Sequence, residues 1–183
     1  MNSMERFIGR PTDITNRSEK EMKVYDFLDD LGIEYNRIDH APAFGSEVEL
    51  CREIEETLGA EICKNLFLAN RQRTKFYMLM IPEEKVFRSG DISKQAGSSR
   101  LHFAESEYME EMIGCLPGSA SVMGLINDTE HKVQLLVDED VINAEYVGCH
   151  PCINTSSLRI RSGDIFDKFI KATGHDLIIV HAE

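Results

Sequence analysis

One lysine interrupts an apolar segment of the chain. Lys64 lies within residues 62–68, a segment in which isoleucine, leucine and phenylalanine predominate. An ammonium group in such surroundings is costly unless an anionic or polar group meets it, and a phosphate or ester oxygen is such a partner. The alternative is that Lys64 lies on the solvated face of an edge strand. Lys64 is therefore the first candidate for contact with an anionic ligand.

A loop of small residues forms a second candidate site. Residues 117–121 read Pro-Gly-Ser-Ala-Ser. Because glycine lets a ligand approach the backbone closely, the N–H groups around Gly118 could stabilise the oxygen of a reacting carbonyl group. A Pro-Gly pair is also typical of an ordinary turn. The loop by itself leaves both interpretations open.

A histidine between two cysteines offers further chemistry. Cys149 and Cys152 flank His150 in a C-x-x-C pattern, which occurs in redox motifs and in half of a zinc site. A structural zinc site needs a second ligand pair, and the cysteines at positions 51, 63 and 115 supply none. His150 is a candidate to orient a substrate through either ring nitrogen, or else a structural histidine near a strand end. Cys63 is expected in the core if Lys64 lines a site, because neighbours along a strand point to opposite faces.

Hydrophobic periodicity predicts the helices that must position these residues. A helix is predicted over residues 18–31, with Ser18 and Glu21 in a capping-box pattern. A second helix is predicted from Ser46, with Glu49 completing the same pattern. The residues of this helix that we expect in the core are Leu50, Cys51, Ile54 and Leu58.

Apolar runs separated by turn residues predict the strands. Residues 62–69 and 76–81 are predicted to form a hairpin across the polar turn at 70–74. The other predicted strands cover residues 34–39, 121–126, 133–137, 146–149, 157–161 and 177–180, and the other helices cover 92–95, 107–113 and 163–172. Hairpins outnumber regular strand-helix-strand units. The predicted fold class is therefore α+β, with a mixed, largely antiparallel sheet surrounded by helices.

The composition is that of an ordinary globular protein, 42% hydrophobic and 28% charged. A length of 183 residues fits a single domain, predicted over residues 1–183. The charged N-terminus and the lack of a long apolar run argue against a signal peptide and a membrane span. Five scattered cysteines, an odd number, predict reduced thiols. We expect a cytoplasmic protein with no cofactor and no metal.

The charge of the chain is unevenly distributed. A net charge of −12 argues at first against a nucleic-acid ligand, because phosphate binding depends on lysine and arginine. However, eight basic and three acidic residues lie between Lys64 and Arg100, a local charge of +5. An acidic protein with one basic segment can still attract an anionic ligand locally. The alternative is that these are scattered solvated charges.

Five motifs, in this order, resemble the YbaK/ProX family of aminoacyl-tRNA editing proteins, and the likeness is strongest to the freestanding ProX branch. Together they span nearly the whole chain and are far more specific than any one motif. The motifs are Lys64-Asn65-Leu66-Phe67-Leu68, Arg100-Leu101-His102-Phe103-Ala104, Pro117-Gly118-Ser119, Gly124-Leu125-Ile126-Asn127-Asp128, and His150-Pro151 with Asn154-Thr155.

This resemblance implies an enzyme that hydrolyses, in trans, the ester between a mischarged amino acid, alanine first, and the terminal adenosine of proline tRNA. Lys64 would hold the terminal phosphate and ribose, Gly118 would contact the aminoacyl carbonyl, and His150 would shape or polarise the pocket. The free ribose hydroxyl of the tRNA would help to activate water. One alternative is that cysteinyl-tRNA(Pro) is the substrate. Another is that the protein is a non-catalytic module that binds the tRNA end or has a regulatory role.

The same resemblance implies partners and further contacts. The expected partner is the acceptor end of tRNA(Pro), with prolyl-tRNA synthetase as a further candidate. Val122 and Met123 stand where the family usually has a proline and an aromatic residue, which bears on the amino acid accepted and on whether activity is retained. The residues expected to bind substrate are Asn65, Ser119, Ala120, Asn154, Thr155 and Arg100.

Overall fold

The computed structural model describes residues 4–44 and 47–183, which fold around two β-sheets. The strands are β1 (Arg6–Ile8), β2 (Tyr35–Asp39), β3 (Lys64–Ala69), β4 (Phe76–Ile81), β5 (His102–Phe103), β6 (Val133–Asp138), β7 (Tyr146–Cys149), β8 (Ser156–Arg161) and β9 (Leu177–Val180). The α-helices are α1 (Glu19–Asp30), α2 (Val48–Leu58), α3 (Ser89–Gln95), α4 (Ser106–Ile113), α5 (Glu139–Asn143) and α6 (Ile170–Thr173). A 3₁₀ helix (Val122–Asn127) and a π-helical segment (Asp164–Phe169) complete them. The predicted α+β class is confirmed.

The first helix begins where the sequence predicts. The hydroxyl of Ser18 accepts a hydrogen bond from the N–H of Glu21 at 3.2 Å, which satisfies one of the unpaired donors of the first turn. Val24, Tyr25 and Leu28 lie on one face of α1 and are fully buried. The tyrosine hydroxyl also donates to the carboxylate of Glu21 at 2.8 Å. Capping and an apolar face together explain this helix.

The smaller sheet is antiparallel throughout, in the order β1-β2-β8-β7. Ile38 of β2 lies opposite Ser157 of β8, and Asp39 lies opposite Ser156. His40 follows directly after β2. This register therefore places His40 beside the first two residues of β8.

The larger sheet is mixed, in the order β5-β3-β4-β6-β9. The predicted hairpin is confirmed, because β3 and β4 pair antiparallel with Lys64 opposite Ile81 and Ala69 opposite Phe76. The pairs β4·β6 and β6·β9 are parallel. Every residue of β4 is buried, since apolar side chains cover both faces of the sheet. This rigid hairpin carries Lys64 at the start of β3.

A close backbone contact connects the two sheets. The N–H of Gly148 in β7 donates to the carbonyl of Glu61 at 2.8 Å, and the N–H of Cys63 donates back to Gly148 at 3.2 Å. A Cβ atom at position 148 would lie only 2.7 Å from the Glu61 oxygen, so this approach requires glycine. The contact brings the end of β7, and the histidine that follows it, next to the start of β3.

Residues 121–126, predicted as a strand, form the 3₁₀ helix instead, and that prediction is wrong. Ser121 caps this helix by accepting a hydrogen bond from the N–H of Met123 at 3.2 Å. Gly124 packs on α4, where a Cβ atom would lie 2.6 Å from the carbonyl oxygen of Ile113. A short apolar run that is buried on all sides looks the same in sequence whether it is strand or helix.

The second helix departs from its prediction at two of the four residues expected in the core. Ile54 and Leu58 are buried as predicted, whereas Leu50 and Cys51 are only half-buried. Cys51 faces an open cavity rather than the core. The predicted capping role of Ser46 lies outside the described residues. Within the described ranges, the helices are too short or too polar to cross a membrane.

Candidate active site

A cavity of about 400 Å³ opens where α2, the start of β3, the loop 117–121 and the segment after β7 meet. We call the loop 117–121 the glycine loop. Cavities of roughly 300–1,000 Å³ are typical of small-molecule sites. The predicted site residues that line this cavity are Lys64, Asn65, Gly118, Ala120 and His150. The fold therefore unites residues from three distant motifs.

The ammonium group of Lys64 lies at the cavity wall with 33% of the side chain exposed. It donates to the carbonyl oxygens of Glu83 and Lys85, the latter at 3.2 Å, and Nζ lies 3.8 Å from Glu83 Oε1. Lys64 is thus neither an unpaired buried charge nor a freely solvated one. Backbone carbonyls hold the ammonium group in place, and an anionic ligand can replace the loosely placed Glu83 carboxylate.

The turn that holds Lys64 is itself fixed by a buried carboxylate. Nζ of Lys85 lies 2.9 Å from Asp138 Oδ1 and 2.6 Å from Asp140 Oδ2, and hydrogen bonds to both carboxylates raise the pKa of this lysine. The fully buried Asp138 also accepts from the N–H of Ala182 at 2.7 Å. Since a buried carboxylate with satisfied partners is costly to move, the carbonyls that hold Lys64 are well fixed.

Gly118 has a backbone conformation that favours glycine, with φ of +85°. A Cβ atom there would lie 2.8 Å from Cδ1 of Phe44, whose ring packs over the glycine loop. Within the described part of the chain, the backbone N–H groups of Gly118 and Ala120 have no hydrogen-bond partner, whereas the N–H of Ser119 donates to Leu116 at 2.9 Å. Two backbone donors at the cavity wall therefore remain for the oxygen of a ligand.

Side-chain hydrogen bonds tie the glycine loop to its neighbours. Asn65 accepts from the N–H of Val122 at 2.9 Å through Oδ1, and its Nδ2 donates to the carbonyl of Cys63 at 3.0 Å. The hydroxyl of Ser121 donates to the carbonyl oxygen of His150. Asn65 thus positions the loop as well as lining the cavity.

His150 presents one ring nitrogen to the protein and keeps the other available. Its Nδ1 lies 2.9 Å from the carbonyl oxygen of Ser156 and 3.4 Å from Oγ of Ser157. Because a carbonyl oxygen only accepts, Nδ1 of the neutral ring carries the proton. Burial lowers the pKa of His150 below its ordinary value of 6.5, and nearby His40 acts in the same direction. No described residue binds Nε2, which is left as a proton acceptor at the cavity.

Two predicted contact residues, one within the glycine loop and one beside it, are not among the described residues that line the cavity. Ser119 is buried, and its hydroxyl donates to the carbonyl of Leu116 at 2.9 Å, which stabilises the turn. Asn154 is nearer to the site, since its Nδ2 lies 3.9 Å from the position of a Cβ atom at Gly118. The substrate-binding roles of both residues stay predictions.

Two further predicted contact residues lie farther from the cavity. The carbonyl oxygen of Thr155 accepts a hydrogen bond from the N–H of His40 at 3.0 Å. Arg100 is exposed and precedes β5. Strand β5 pairs with the last two residues of β3, whereas Lys64 is the first residue of β3. A substrate held in the cavity would reach Arg100 only if it also extended along β3.

One wall of the cavity is formed by residues that lie in none of the five motifs. Phe44, 62% exposed, precedes α2, and Glu55 on α2 accepts a hydrogen bond from the N–H of Ile62 at 2.9 Å while lining the cavity. An aromatic residue just before a helix is a signal that could have pointed to Phe44. A glutamate on an amphipathic helix is ordinarily solvated, so Glu55 gave no such signal.

The described cysteines form no disulfide bond. Burial raises the pKa of Cys149 to about 12, and burial also raises the pKa of Cys63, which is buried as predicted but also lines the cavity beside Lys64. Both thiols are therefore protonated and poor nucleophiles. In residues 4–44 and 47–183 we find no group of three histidine, cysteine or acidic side chains placed to hold a metal ion. Cys152 is also buried, and a hydrogen bond between its thiol and that of Cys115 raises the pKa of Cys152 and lowers that of Cys115, so the thiol alternative stays a prediction.

The two departures from the usual family pattern lie in the core. Val122 and Met123 are fully buried in the 3₁₀ helix and are not among the described residues that line the cavity. Only the backbone of Val122 reaches the site, through its hydrogen bond to Asn65. These substitutions therefore change packing behind the glycine loop rather than the cavity surface.

The cavity and its residues belong to a known class of domain. Residues 45–168 match the aminoacyl-tRNA editing domain family, and the chain belongs to this family. The matched segment includes Lys64, Gly118 and His150. Membership confirms the resemblance read from the motifs and the class of enzyme, an aminoacyl-tRNA hydrolase.

Particular relatives extend over most of the chain. It is 26% identical over 148 residues to the prolyl-tRNA editing protein ProX of Acetoanaerobium sticklandii, covering 81% of this chain and 88% of that protein. It is 29% identical over 168 residues to the prolyl-tRNA synthetase associated domain-containing protein 1 of Mus musculus, covering 90% and 97%. A crystal structure described provisionally as a trans-editing enzyme for prolyl tRNA synthetase shares the fold, with a TM-score of 0.66 at 16% identity, over 91% of this chain and 98% of that one.

Proposed function

We propose that this chain edits mischarged tRNA(Pro) in trans by hydrolysing its aminoacyl ester, with alanyl-tRNA(Pro) as the principal substrate. The observation that carries the proposal is the single cavity in which Lys64, Gly118 and His150 meet inside the editing domain. The names of the relatives support tRNA(Pro) as the partner. The mouse relative is matched over 97% of its length, so it contains little besides this domain, which supports action in trans.

The residues of the cavity suit ester hydrolysis. In this proposal Lys64 binds the terminal phosphate and ribose, while the N–H groups of Gly118 and Ala120 bind the ester carbonyl oxygen as negative charge develops on it. The oxygen of a water molecule bonds to the carbonyl carbon, and its proton passes to Nε2 of His150, or to the oxygen of the free ribose hydroxyl, which at the same time releases its own proton to the ester oxygen of the ribose. The bond from the carbonyl carbon to the ribose oxygen then breaks, and that oxygen takes up the proton.

Apolar residues in part of the cavity wall support a small apolar amino acid as the acyl group. Ala43, Ile54, Ile62 and Leu66 line the cavity beside the glycine loop. Prolyl-tRNA synthetase, the second proposed partner, cannot strongly reject an amino acid smaller than proline, and one methylene group changes selectivity by about 1–3 kcal/mol. We therefore propose that this domain, residues 1–183, acts after the synthetase as a second site that removes the wrong amino acid. We propose the cytoplasm as its location.

A deacylation panel tests this proposal. Alanyl-, cysteinyl-, seryl- and prolyl-tRNA(Pro) are each incubated with the purified protein, and the remaining ester is measured over time. We expect alanyl-tRNA(Pro) to be hydrolysed fastest and prolyl-tRNA(Pro) to be spared. If cysteinyl-tRNA(Pro) is hydrolysed fastest, the amino acid that the protein removes is cysteine rather than alanine. If the protein binds all four aminoacyl-tRNAs saturably but releases no amino acid, it is a binding module rather than an enzyme.

Lys64→Ala is expected to lower kcat/KM for the best substrate by roughly 10–100-fold, because a charge-assisted hydrogen bond to phosphate contributes about 1.5–3 kcal/mol. The effect should appear mainly in KM, since the phosphate contact is present in both the bound substrate and the transition state. Initial-rate kinetics measure it. The matched control is Lys94→Ala, which makes the same change of charge at an exposed position on α3. Equal losses in both variants would show that the effect is only one of net charge.

A further inference from the structure

A series of hydrogen bonds leads from His150, on the side away from the cavity, to His40. Oγ of Ser157 lies 3.4 Å from Nδ1 of His150 and 2.9 Å from Nε2 of His40. The centroids of the two imidazole rings are 6.2 Å apart. His40 and Ser157 are not among the described residues that line the cavity, so an effect on the reaction must pass through His150.

The donors and acceptors in this series have a definite direction. Nδ1 of His40 lies 2.8 Å from the carbonyl oxygen of Ala41, which only accepts, so Nδ1 of the neutral ring carries the proton and Nε2 accepts. Burial lowers the pKa of His40 below its ordinary value of 6.5, which keeps the ring neutral at neutral pH. The hydroxyl of Ser157 therefore donates to His40. Its lone pairs are then left to face the Nδ1–H of His150.

We propose that His40 and Ser157 are positioning residues for the hydrolytic reaction, which fix the tautomer of His150 and stabilise its ring when Nε2 takes up a proton. His40 draws the hydroxyl proton of Ser157 towards itself. The serine oxygen then accepts from Nδ1–H beside the carbonyl oxygen of Ser156, so the same N–H has two acceptors. This inference rests on the proposed function of the cavity.

The surroundings of the two residues suit this role. Ser157 is fully buried, so no bulk water competes for its hydroxyl. Asp39 precedes His40 and is paired with Arg17 at 2.6 Å and also with Arg37. Among the described residues no carboxylate is hydrogen-bonded to His40, and burial, which lowers the pKa of its ring, outweighs the opposite effect of the Asp39 charge, so that the ring remains an acceptor.

The stabilisation should act on the chemical step rather than on binding. An acceptor for Nδ1–H stabilises the ring more strongly once the ring is positively charged, because hydrogen bonds to charged groups are stronger than those between neutral groups. The ring becomes charged only as the reaction proceeds. An interaction that strengthens in the transition state changes kcat and leaves KM nearly constant.

Three variants test the inference, with the ester that the wild-type protein hydrolyses fastest in the deacylation panel. His40→Leu and Ser157→Ala should each lower kcat by about 10-fold with little change in KM, a part of the typical effect of acid–base catalysis. His40→Gln should restore kcat to within about threefold of wild type, because the amide oxygen can still accept from Ser157. Thermal unfolding of each variant establishes that it is folded.

The outcomes separate this inference from the proposed function. If the wild-type protein hydrolyses none of the four esters, the proposed function fails. If the wild type is active while the folded Ser157→Ala and His40→Leu variants keep its kcat, the positioning role alone is overturned. A His40→Gln variant as slow as His40→Leu would also overturn it, because the required property would then not be an acceptor facing Ser157.

Discussion

Replacing His150 by alanine is expected to lower kcat for deacylation by roughly 10²–10⁴-fold, the usual contribution of a general acid or base. The neutral ring holds its proton on Nδ1 against the carbonyl of Ser156 and leaves Nε2 to accept a proton at the cavity. Alanine removes that acceptor but leaves Lys64 and the glycine loop in place. KM should therefore change far less than kcat, which steady-state kinetics would separate.

The role of His150 also predicts how activity changes with pH. The unprotonated ring is the active form, and its pKa lies below the ordinary histidine value of 6.5 because the ring is buried. Activity of the wild-type protein should therefore persist as the pH falls through 6.5 and decline only at lower pH. His150→Ala should lack this acidic limb.

A matched control is His181→Ala, an exposed histidine paired with Glu139 and outside the cavity lining. This variant should keep both the rate and the acidic limb. A His150→Ala protein with wild-type kcat would show that the ribose hydroxyl alone activates water, and it would remove His150 from the mechanism.

Gly118→Ala is expected to lower kcat/KM by roughly 10²–10³-fold, the effect of losing one oxyanion donor. At φ of +85° any side chain strains the backbone by about 1–3 kcal/mol. The new Cβ atom would also lie 2.8 Å from the ring of Phe44. Both effects displace the N–H groups of Gly118 and Ala120 from the position at which a developing oxyanion would accept from them.

Gly90→Ala is the matched control for this change. Gly90 lies in α3 without a positive φ, and a Cβ atom there has no neighbour within 4 Å. We expect unchanged kinetics and equal or slightly higher stability, because alanine has the better helix propensity by about 1 kcal/mol. Circular dichroism and thermal unfolding would establish that Gly118→Ala is still folded. Wild-type activity in that folded variant would contradict the role of the glycine loop.

Most elements could be predicted from the sequence because periodicity and capping are local properties. The Ser18 cap, the β3–β4 hairpin and the final strand β9 follow from residues that are neighbours along the chain. The short elements β1, β5 and α5 could not be predicted, because they contain two to five residues and have too little periodicity to detect. The buried 3₁₀ helix has the sequence pattern of a strand, since burial on every side removes the pattern that distinguishes the two.

The candidate site was predicted in part for a similar reason. Lys64, Gly118 and His150 stand out in sequence by an unusual type or setting, and motif order links them to the editing family. Ser157 and His40 give no such signal, because a serine in β8 and a histidine after β2 are ordinary residues until the register of the smaller sheet places them side by side.

In the sequence, motif order indicated the family, hydrophobic periodicity indicated the α+β class, and Lys64, Gly118 and His150 stood out as candidate site residues that the structure brings to one cavity. Packing was needed to show that backbone carbonyls hold the ammonium group of Lys64, that no described residue accepts from the N–H groups of Gly118 and Ala120, and that Nδ1 is the nitrogen of His150 that faces the protein. The physical reason is that hydrogen-bond partners and burial depend on residues distant in sequence. Local pattern specifies which chemical groups are present, and packing specifies which of their atoms can react.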